Sequence, residues 1–192
     1  MSDRRSWFLV LLSLAAATSR LVPHPMNFAP MTALALFGAS AFASRRAAIL
    51  VPLATLLLSD CLLQLAYATG WQPYQGFYRG QWVIYACMLL TVALGFPLRG
   101  RTSVPAVAAA TLGGSLVFFL VTNFPWTHGP VSFYPTTLAG ITESYTAALP
   151  FFRRTLAGDA VYSTLLFGSL ALAEARFPSL RRTKPAPASI AA

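Results

Sequence analysis

The stretch AAILVPLATLLLSDCLLQLAYAT, residues 47–69, contains a single charged side chain, Asp60. About 20 consecutive apolar residues are enough for a helix to cross roughly 30 Å of hydrocarbon. The stretch therefore predicts a transmembrane helix. The whole chain has the same character, because 56% of its 192 residues are hydrophobic and 10% are charged. Such a composition is more apolar than one water-soluble core requires, and it predicts an integral membrane protein.

Similar apolar stretches occur along the whole chain. Transmembrane strands would show segments of about ten residues with strict alternation, a pattern that the sequence lacks. We therefore predict an all-α integral membrane protein, a six-transmembrane-helix bundle that forms a single transmembrane domain over residues 1–182, followed by a disordered cytoplasmic tail at 183–192. The predicted spans cover residues 7–21, 28–43, 47–69, 81–96, 104–121 and 155–175.

The basic residues indicate how this bundle is oriented. The formal net charge is +9, but the basic residues are dispersed between spans rather than gathered into one stripe, which argues against a nucleic-acid partner. By the positive-inside rule, their bias predicts that both termini are cytoplasmic. One side of the six-span arrangement receives Arg4, Arg5, Arg45, Arg46, Arg99, Arg101, Arg176, Arg181, Arg182 and Lys184, and the other receives Arg20, Arg79, Arg153 and Arg154.

The first span has a second interpretation. Arg4 and Arg5, the apolar run WFLVLLSLAAA and the small residues of AAATS also fit a secretory signal peptide. Cleavage would leave five spans. We interpret this segment as a retained anchor, because the small-residue faces of later spans need a neighbouring helix.

Small residues at a spacing of four predict where helices approach closely. Such pairs occur at Ala35, Ala39 and Ala43 in the second span, and at Ala109 with Gly113 and Ala110 with Gly114 in the fifth. We interpret them as packing faces within the chain, the alternative being a face offered to another membrane protein.

The two cysteines, Cys61 and Cys87, belong to no CxxC motif or His-Cys cluster with metal-ligand spacing. We interpret them as buried small apolar side chains and predict no metal site and no cofactor. A thiol facing a ligand cavity is the alternative.

Asp60 needs a reason to lie within the third span. A charge near the bilayer centre costs at least about 2.5 to 3.5 kcal/mol, so it usually faces protein or a wet cavity. Helical steps from Asp60 reach Gln64, Tyr67 and Trp71 on one stripe. This stripe predicts the wall of an outward-opening pocket. The alternative is a structural hydrogen bond between two helices.

The predicted outer connections add candidate pocket residues. The link GWQPYQGFYRG, residues 70–80, contains Tyr74 and Tyr78 among aromatic and amide side chains that suit a flat polar ligand. Anchoring at the membrane interface also explains such aromatics.

The link between the fifth and sixth spans, residues 123–154, is long for a bundle, which is typical of a functional loop. Within it we predict a short surface helix over TTLAGITESYTAAL, residues 136–149. The following LPFFRRTLAGDAVY, residues 149–162, places Arg153 and Arg154 at the entrance of the last span and Asp159 further in. We expect one arginine to reach Asp60 as its counter-charge and the other to extend toward lipid headgroups.

Together these features resemble the S components of energy-coupling-factor (ECF) vitamin transporters, and most closely the solitary cobalamin-specific members and their uncharacterised relatives. The resemblance rests on the six spans, the chain length, Asp60, Tyr78 and Arg153 in the PFFR segment. It implies that these three residues surround a bound corrinoid, which would be substrate rather than cofactor. One departure concerns cobalt ligation, since GWQPYQGFYRG lacks the loop cysteine of cobalamin-specific members. His24 or His128 is the candidate replacement.

The sequence and the resemblance predict a membrane substrate-binding subunit for uptake of a small vitamin-like molecule, cobalamin or a related corrinoid being the implied ligand. The implied partners are the lipid bilayer and a transmembrane coupling subunit with two ATPases, in a bacterial cytoplasmic membrane; the chain has no GxxxxGK[ST] phosphate loop. The predicted substrate-binding residues are Asp60, Gln64, Tyr67, Trp71, Tyr74, Tyr78 and Arg153.

Two other classes remain as alternatives. A scaffold or assembly factor without transport would share the same bundle. An intramembrane serine hydrolase would need a base beside a serine such as Ser59 or Ser163, but both histidines lie in predicted loops and no GxSxG motif occurs. We therefore predict that the protein is not an enzyme.

Overall fold

The computed structural model describes residues 3–125 and 133–182. The regular structure within these ranges is helical, and short 3-10 turns at Ser19–Leu21, Phe96–Leu98 and Pro178–Leu180 follow helices α1, α4 and α6. The α-helices are α1 Asp3–Thr18, α2 Met31–Ala41, α3 Arg45–Ala68, α4 Gln81–Gly95, α5 Val104–Thr122 and α6 Leu138–Arg176. The predicted all-helical class is confirmed.

Four helical segments are long and apolar enough to cross a membrane: Arg45–Ala68, Gln81–Leu98, Val104–Thr122 and Leu138–Arg176. The other two helices are shorter, with 16 residues in α1 and 11 in α2. Membrane association follows from the four long helices, whereas the six-span arrangement stays a prediction.

Helix α2 forms the centre of the bundle. Every residue of α2 after Met31 is buried, and the helix packs against α3, α4, α5 and α6. Small residues permit this packing, because a Cβ atom added at Gly95 of α4 would lie 2.6 Å from the Cβ of Ala39. The prediction that Ala35 and Ala39 pack within the chain is confirmed, since both are fully buried, whereas Ala43 is exposed.

On α5, the two glycines that were predicted to pack differ. A Cβ atom added at Gly114 would lie 2.5 Å from Cγ2 of Thr32 on α2, whereas one at Gly113 would meet no atom within 4 Å. The face of α5 that contains Gly114 therefore packs against α2, and Gly113 lies in open space.

At one end of the bundle, which we call the basic end, arginines hold the helix termini together. Arg5 pairs with Glu174 and donates to the carbonyl of Leu180, which joins α1 to the end of α6. Arg99 donates through Nε to the carbonyl of Ala39 at 2.7 Å, near the end of α2. Burial lowers the pKa of Arg99, and the nearby charges of Arg182 and Arg45 lower it further. The carbonyls at the end of α2 oppose this repulsion by accepting hydrogen bonds.

The prediction for the last third of the chain needs a correction. A surface helix over residues 136–149 and a separate span over 155–175 were expected, but α6 is one continuous helix of 39 residues with Pro150 inside it. The first turns of α6 pack against the end of α5, where Ser144 Oγ donates to the carbonyl of Asn123 and Tyr145 Oη donates to that of Leu120, both at 2.7 Å. The predicted tail, 183–192, lies outside the described residues.

Candidate ligand-binding cavity

Asp60 of α3 is enclosed by hydrogen-bond donors from two other segments. Its exposed fraction is 1%. Oδ1 accepts from Arg20 Nη1 at 2.6 Å, and Oδ2 accepts from Gln81 Nε2 at 2.6 Å and from the Tyr85 hydroxyl at 2.7 Å. Both carboxylate oxygens are therefore satisfied, and one partner is a cation. This arrangement compensates the cost of placing the charge inside a bundle.

Local structure explains how these donors converge. Gln81 and Tyr85 are four residues apart on α4, so both face the same side of that helix. Arg20 lies in the 3-10 turn after α1, and its guanidinium also donates to the Ser59 hydroxyl. The Arg20–Asp60 ion pair thus connects the end of α1 with α3, and the hydrogen bonds add α4.

The 70–80 connection folds back over α3 at this point. A Cβ atom added at Gly76 would lie 1.9 Å from the carbonyl oxygen of Asp60, so only glycine allows this approach. The Gln64 side chain holds the connection in place by accepting from the backbone N–H groups of Gly76 and Phe77, each at 3.2 Å. Gln72 Nε2 donates to the carbonyl of Leu21 at 2.6 Å, which joins this connection to the one after α1.

A cavity of about 250 Å³ lies beside the ion pair, at the end of the bundle opposite the basic end; we call this the cavity end. The residues around it come from the first and third connections and from α2 to α6. They are Arg20, His24, Met26, Asn27, Ala29, Met31, Thr32, Leu63, Tyr74, Gln75, Tyr78, Ile84, Phe118, Thr155 and Asp159.

Asp159 of α6 is the second buried acid at this end, and its exposed fraction is also 1%. Its Oδ2 accepts a hydrogen bond from Ser115 Oγ at 2.7 Å. The ion pairs among residues 3–125 and 133–182 are Arg5–Glu174 and Arg20–Asp60, so Asp159 has no cation among them. The neighbouring Gly158 brings α6 close to the first connection, since a Cβ atom there would lie 3.1 Å from the backbone nitrogen of Ala29.

The predicted site residues fall into separate groups. Tyr74 and Tyr78 line the cavity. Asp60 and Gln64 lie behind its wall, where they bind protein groups. Tyr67 and Trp71, with exposed fractions of 39% and 68%, lie on the surface and do not line the cavity. The stripe predicted from helical spacing does not form one pocket wall, because the chain folds over Asp60 and Gln64, Tyr67 is exposed, and Trp71 lies beyond the end of α3 at Ala68.

Arg153 requires a correction. We expected it to supply the counter-charge of Asp60, but that cation is Arg20. Arg153 is exposed and lines a shallow hollow on the surface of α6 together with Arg154. The continuous α6 explains the difference, because it carries the arginines past the cavity rather than folding them back into it. The ligand-binding role that the resemblance implies for Arg153 stays a prediction.

The Tyr78 hydroxyl keeps its proton at neutral pH. Burial raises the pKa of Tyr78, the negative charge of Asp60 raises it further, and Arg20 lowers it in part. Since the ordinary pKa of tyrosine is already about 10, Tyr78 presents a neutral phenol to the cavity that can donate or accept a hydrogen bond.

The prediction of buried cysteines is confirmed for one of the two residues, and the metal-ligand role considered for the histidines stays a prediction. Cys87 is buried as predicted, whereas Cys61 is exposed, so that part of the prediction is wrong. Within the described ranges, no group of three His, Cys, Asp or Glu side chains is placed to hold a metal ion. His24 lines the cavity, and His128 lies outside the described residues.

Sequence reasoning missed several residues of the site: Arg20, Gln81 and Tyr85 as partners of Asp60, and Asp159 as a lining residue. The polar pair at positions 81 and 85, four apart in an otherwise apolar helix, was a usable signal for a buried polar partner on another helix. The role of Arg20 had no local signal, because it depends on which helices are neighbours.

The described residues form a helical protein with four segments long and apolar enough to cross a membrane, and with a small cavity lined by a buried acid that has no cation among its described partners. Residues 1–180 match the family described as "Family of unknown function (DUF6580)", and the chain belongs to this family. No curated protein matches the sequence, and no solved structure matches it.

Proposed function

We propose that the protein is a membrane substrate-binding subunit that takes up a small, water-soluble, vitamin-like molecule through the cavity. The observation that supports this proposal is the cavity itself, which combines an apolar lining from Met31, Leu63, Ile84 and Phe118 with polar groups such as Asp159. Ligand sites in proteins have this composition, with a concave apolar wall and a few polar groups that fix orientation.

The distribution of charge supports an outward-facing cavity. The basic end contains Arg5, Arg99 and Arg182, whereas the cavity end has few basic residues, of which Arg20 is paired with Asp60. By the positive-inside rule, the basic end faces the cytoplasm. In this proposal all six helices cross or enter a bacterial cytoplasmic membrane, both termini are cytoplasmic, and the cavity opens to the outside.

The size of the cavity narrows the choice of ligand. At about 250 Å³, it is slightly below the usual range of roughly 300 to 1,000 Å³ for small-molecule sites. A corrinoid would enter only if the 70–80 connection opened, which requires breaking the hydrogen bonds of Gln64 and Gln72. We therefore favour a ligand smaller than a corrinoid.

The source of energy is also part of the proposal. The sequence has no phosphate loop, so ATP would be hydrolysed by a partner, a transmembrane coupling subunit with two ATPases as the resemblance implies. Binding energy from the cavity would then select the substrate, and the partner would drive its release on the other side.

Thermal unfolding of the purified full chain in detergent tests this proposal. A ligand that binds the folded state alone raises the melting temperature. We expect at least one member of a panel of water-soluble vitamins, with cobalamin and cobinamide included, to raise it in the wild type.

Ile84→Trp should abolish this rise by filling the cavity, while Leu90→Trp, at a surface position of the same helix, should retain it. If no compound in the panel stabilises a folded wild type, the scaffold alternative replaces the proposal.

A further inference from the structure

The cavity is lined by an acid that has no cationic partner among residues 3–125 and 133–182. Asp159 lines the cavity and is as deeply buried as Asp60. Its hydrogen-bond partners are neutral groups: the Ser115 hydroxyl at 2.7 Å, and the side chain and backbone of Thr32. A buried carboxylate without a cation is costly, and it persists at functional sites where a ligand completes it.

The other charged groups around the cavity do not supply a counter-charge for Asp159. The Arg20 guanidinium lines the cavity, but it contacts Asp60 at 2.6 Å and also donates to Ser59. The Arg20–Asp60 pair is therefore neutral as a unit. His24 lines the cavity from the exposed first connection, where its ring lies beside the carbonyl of Pro25. Asp159 is therefore the acid of the described lining that has no ion-pair partner within the described ranges.

Aromatic rings share this cavity with the acid. Tyr74 and Tyr78 line it from the 70–80 connection, and Phe118 lines it from α5. The faces of such rings attract cations, and quaternary or methylated ammonium groups are recognised by aromatic side chains in this way. An acid together with several aromatic rings is thus a combination suited to an organic cation, and poorly suited to an anion.

We propose that Asp159 binds the positively charged group of the ligand, so that the transported molecule is a small organic cation or a molecule with an ammonium-like group. This inference rests on the proposed function, because it names the substrate class of the same cavity. The carboxylate would neutralise the cationic centre, Tyr74, Tyr78 and Phe118 would surround its apolar part, and Ser115 would keep Asp159 oriented toward it.

Pairs of compounds that have the same shape but different charge test this assignment. Choline and its neutral isostere 3,3-dimethylbutan-1-ol form one such pair, and tetramethylammonium, guanidinium and N-methylpyridinium extend the cationic set. We expect at least one cation to raise the melting temperature of the full-length protein in detergent, with no rise from the neutral isostere. Asp159→Asn should weaken the binding of that cation roughly 10- to 100-fold, which is the size expected when a hydrogen-bonded charge partner is lost.

Glu143→Gln is the matched control, since it removes an exposed acid from the same helix, away from the cavity, and should bind cations as the wild type does. If none of the cations binds, or if they bind Asp159→Asn and the wild type equally, the assignment is overturned. In that case a neutral or anionic vitamin that still stabilises the wild type, and fails to stabilise Ile84→Trp, would leave the proposed function standing. Failure of all compounds would remove both proposals.

Discussion

Asp60 and Asp159 are equally buried, yet the chain treats them differently. Asp60 has a cation and two neutral donors on its two oxygens, drawn from the end of α1 and from α4. The hydrogen-bond partners of Asp159 are neutral groups of Ser115 and Thr32, and neither residue is a cation, although this acid lines a cavity. A buried acid that is paired with a cation connects elements of structure, whereas one that has only neutral partners remains available to a charged ligand. Burial alone therefore does not identify a binding acid, but burial together with its set of partners does.

The largest effect should come from breaking the pair at Asp60. Arg20→Ala leaves a buried carboxylate without its cation, and we expect the free energy of unfolding to fall by about 3 to 5 kcal/mol. Equilibrium unfolding in mixed detergent measures this. Arg79→Ala, at an exposed arginine of the 70–80 connection, serves as the control and should change stability by less than about 0.5 kcal/mol. A loss below about 1 kcal/mol for Arg20→Ala would show that the pair is not a structural connection.

Replacing each acid by asparagine should change the free energy of unfolding differently at Asp60 and at Asp159. Asp60→Asn keeps the size of the side chain but leaves Arg20 without its partner, so unfolding should become easier by about 1.5 to 3 kcal/mol. Asp159→Asn removes an uncompensated buried charge and should cost less than about 1 kcal/mol or even stabilise the protein. Uptake normalised to protein level should show the reverse order, with Asp159→Asn the more impaired per folded molecule. Equal stability losses would remove the distinction between the two acids.

The next largest effect on stability should come from a substitution in the 70–80 connection, which covers Asp60. In Gly76→Ala the new methyl group would collide with the Asp60 carbonyl, at the 1.9 Å distance described above. Overpacking of this kind costs about 1 to 3 kcal/mol. Gly113→Ala is the matched control, because open space surrounds that glycine and alanine is a better helix former by roughly 1 kcal/mol. Thermal unfolding of both variants should therefore shift in opposite directions. Two shifts of the same sign would indicate that the covering connection is not fixed.

The smallest effect concerns the two arginines of α6. Arg153 and Arg154 are both exposed, so we expect Arg153→Ala and Arg154→Ala each to change stability by less than about 0.5 kcal/mol. Their uptake activities then test the role implied by the resemblance to the vitamin importers. A specific loss of uptake in Arg153→Ala would support that role, and equal activities would confine the site to the cavity around Asp159.

The sequence predicted helices well where polarity changes sharply. The third span was expected at residues 47–69 and is found at Arg45–Ala68, and the fourth was expected at 81–96 and is found at Gln81–Gly95. The ends of these helices coincide with glycines, arginines and Ser44, which accepts a hydrogen bond from Ala47 at the start of α3. The last helix was misjudged, because a surface helix and a separate span were predicted where one helix continues through Pro150; proline inside a long helix is accommodated when other elements support it.

The site was harder to predict than the helices. Asp60 was recognised because a charge within an apolar stretch is unusual on its own. Its true partner, Arg20, is distant in sequence and belongs to a different connection, and no helical period relates positions 20 and 60. Likewise, the finding that Arg153 is not the counter-charge of Asp60 depended on the path of α6 in space. Residue chemistry thus indicated which groups need partners, whereas the choice of partner required the packing of the helices.

The short central helix has a consequence for how the protein enters its membrane. With 11 residues and a rise of 1.5 Å per residue, α2 is about 16 Å long, roughly half the thickness of the hydrocarbon layer. Almost all of its surface is covered by neighbouring helices, so it is shielded from lipid in the finished protein. In the proposed six-span arrangement, a segment this short would not be stable alone in the bilayer, so α2 would enter it together with α1 or α3 as a hairpin. Assembly of this protein would then depend on the order in which its first three helices leave the ribosome.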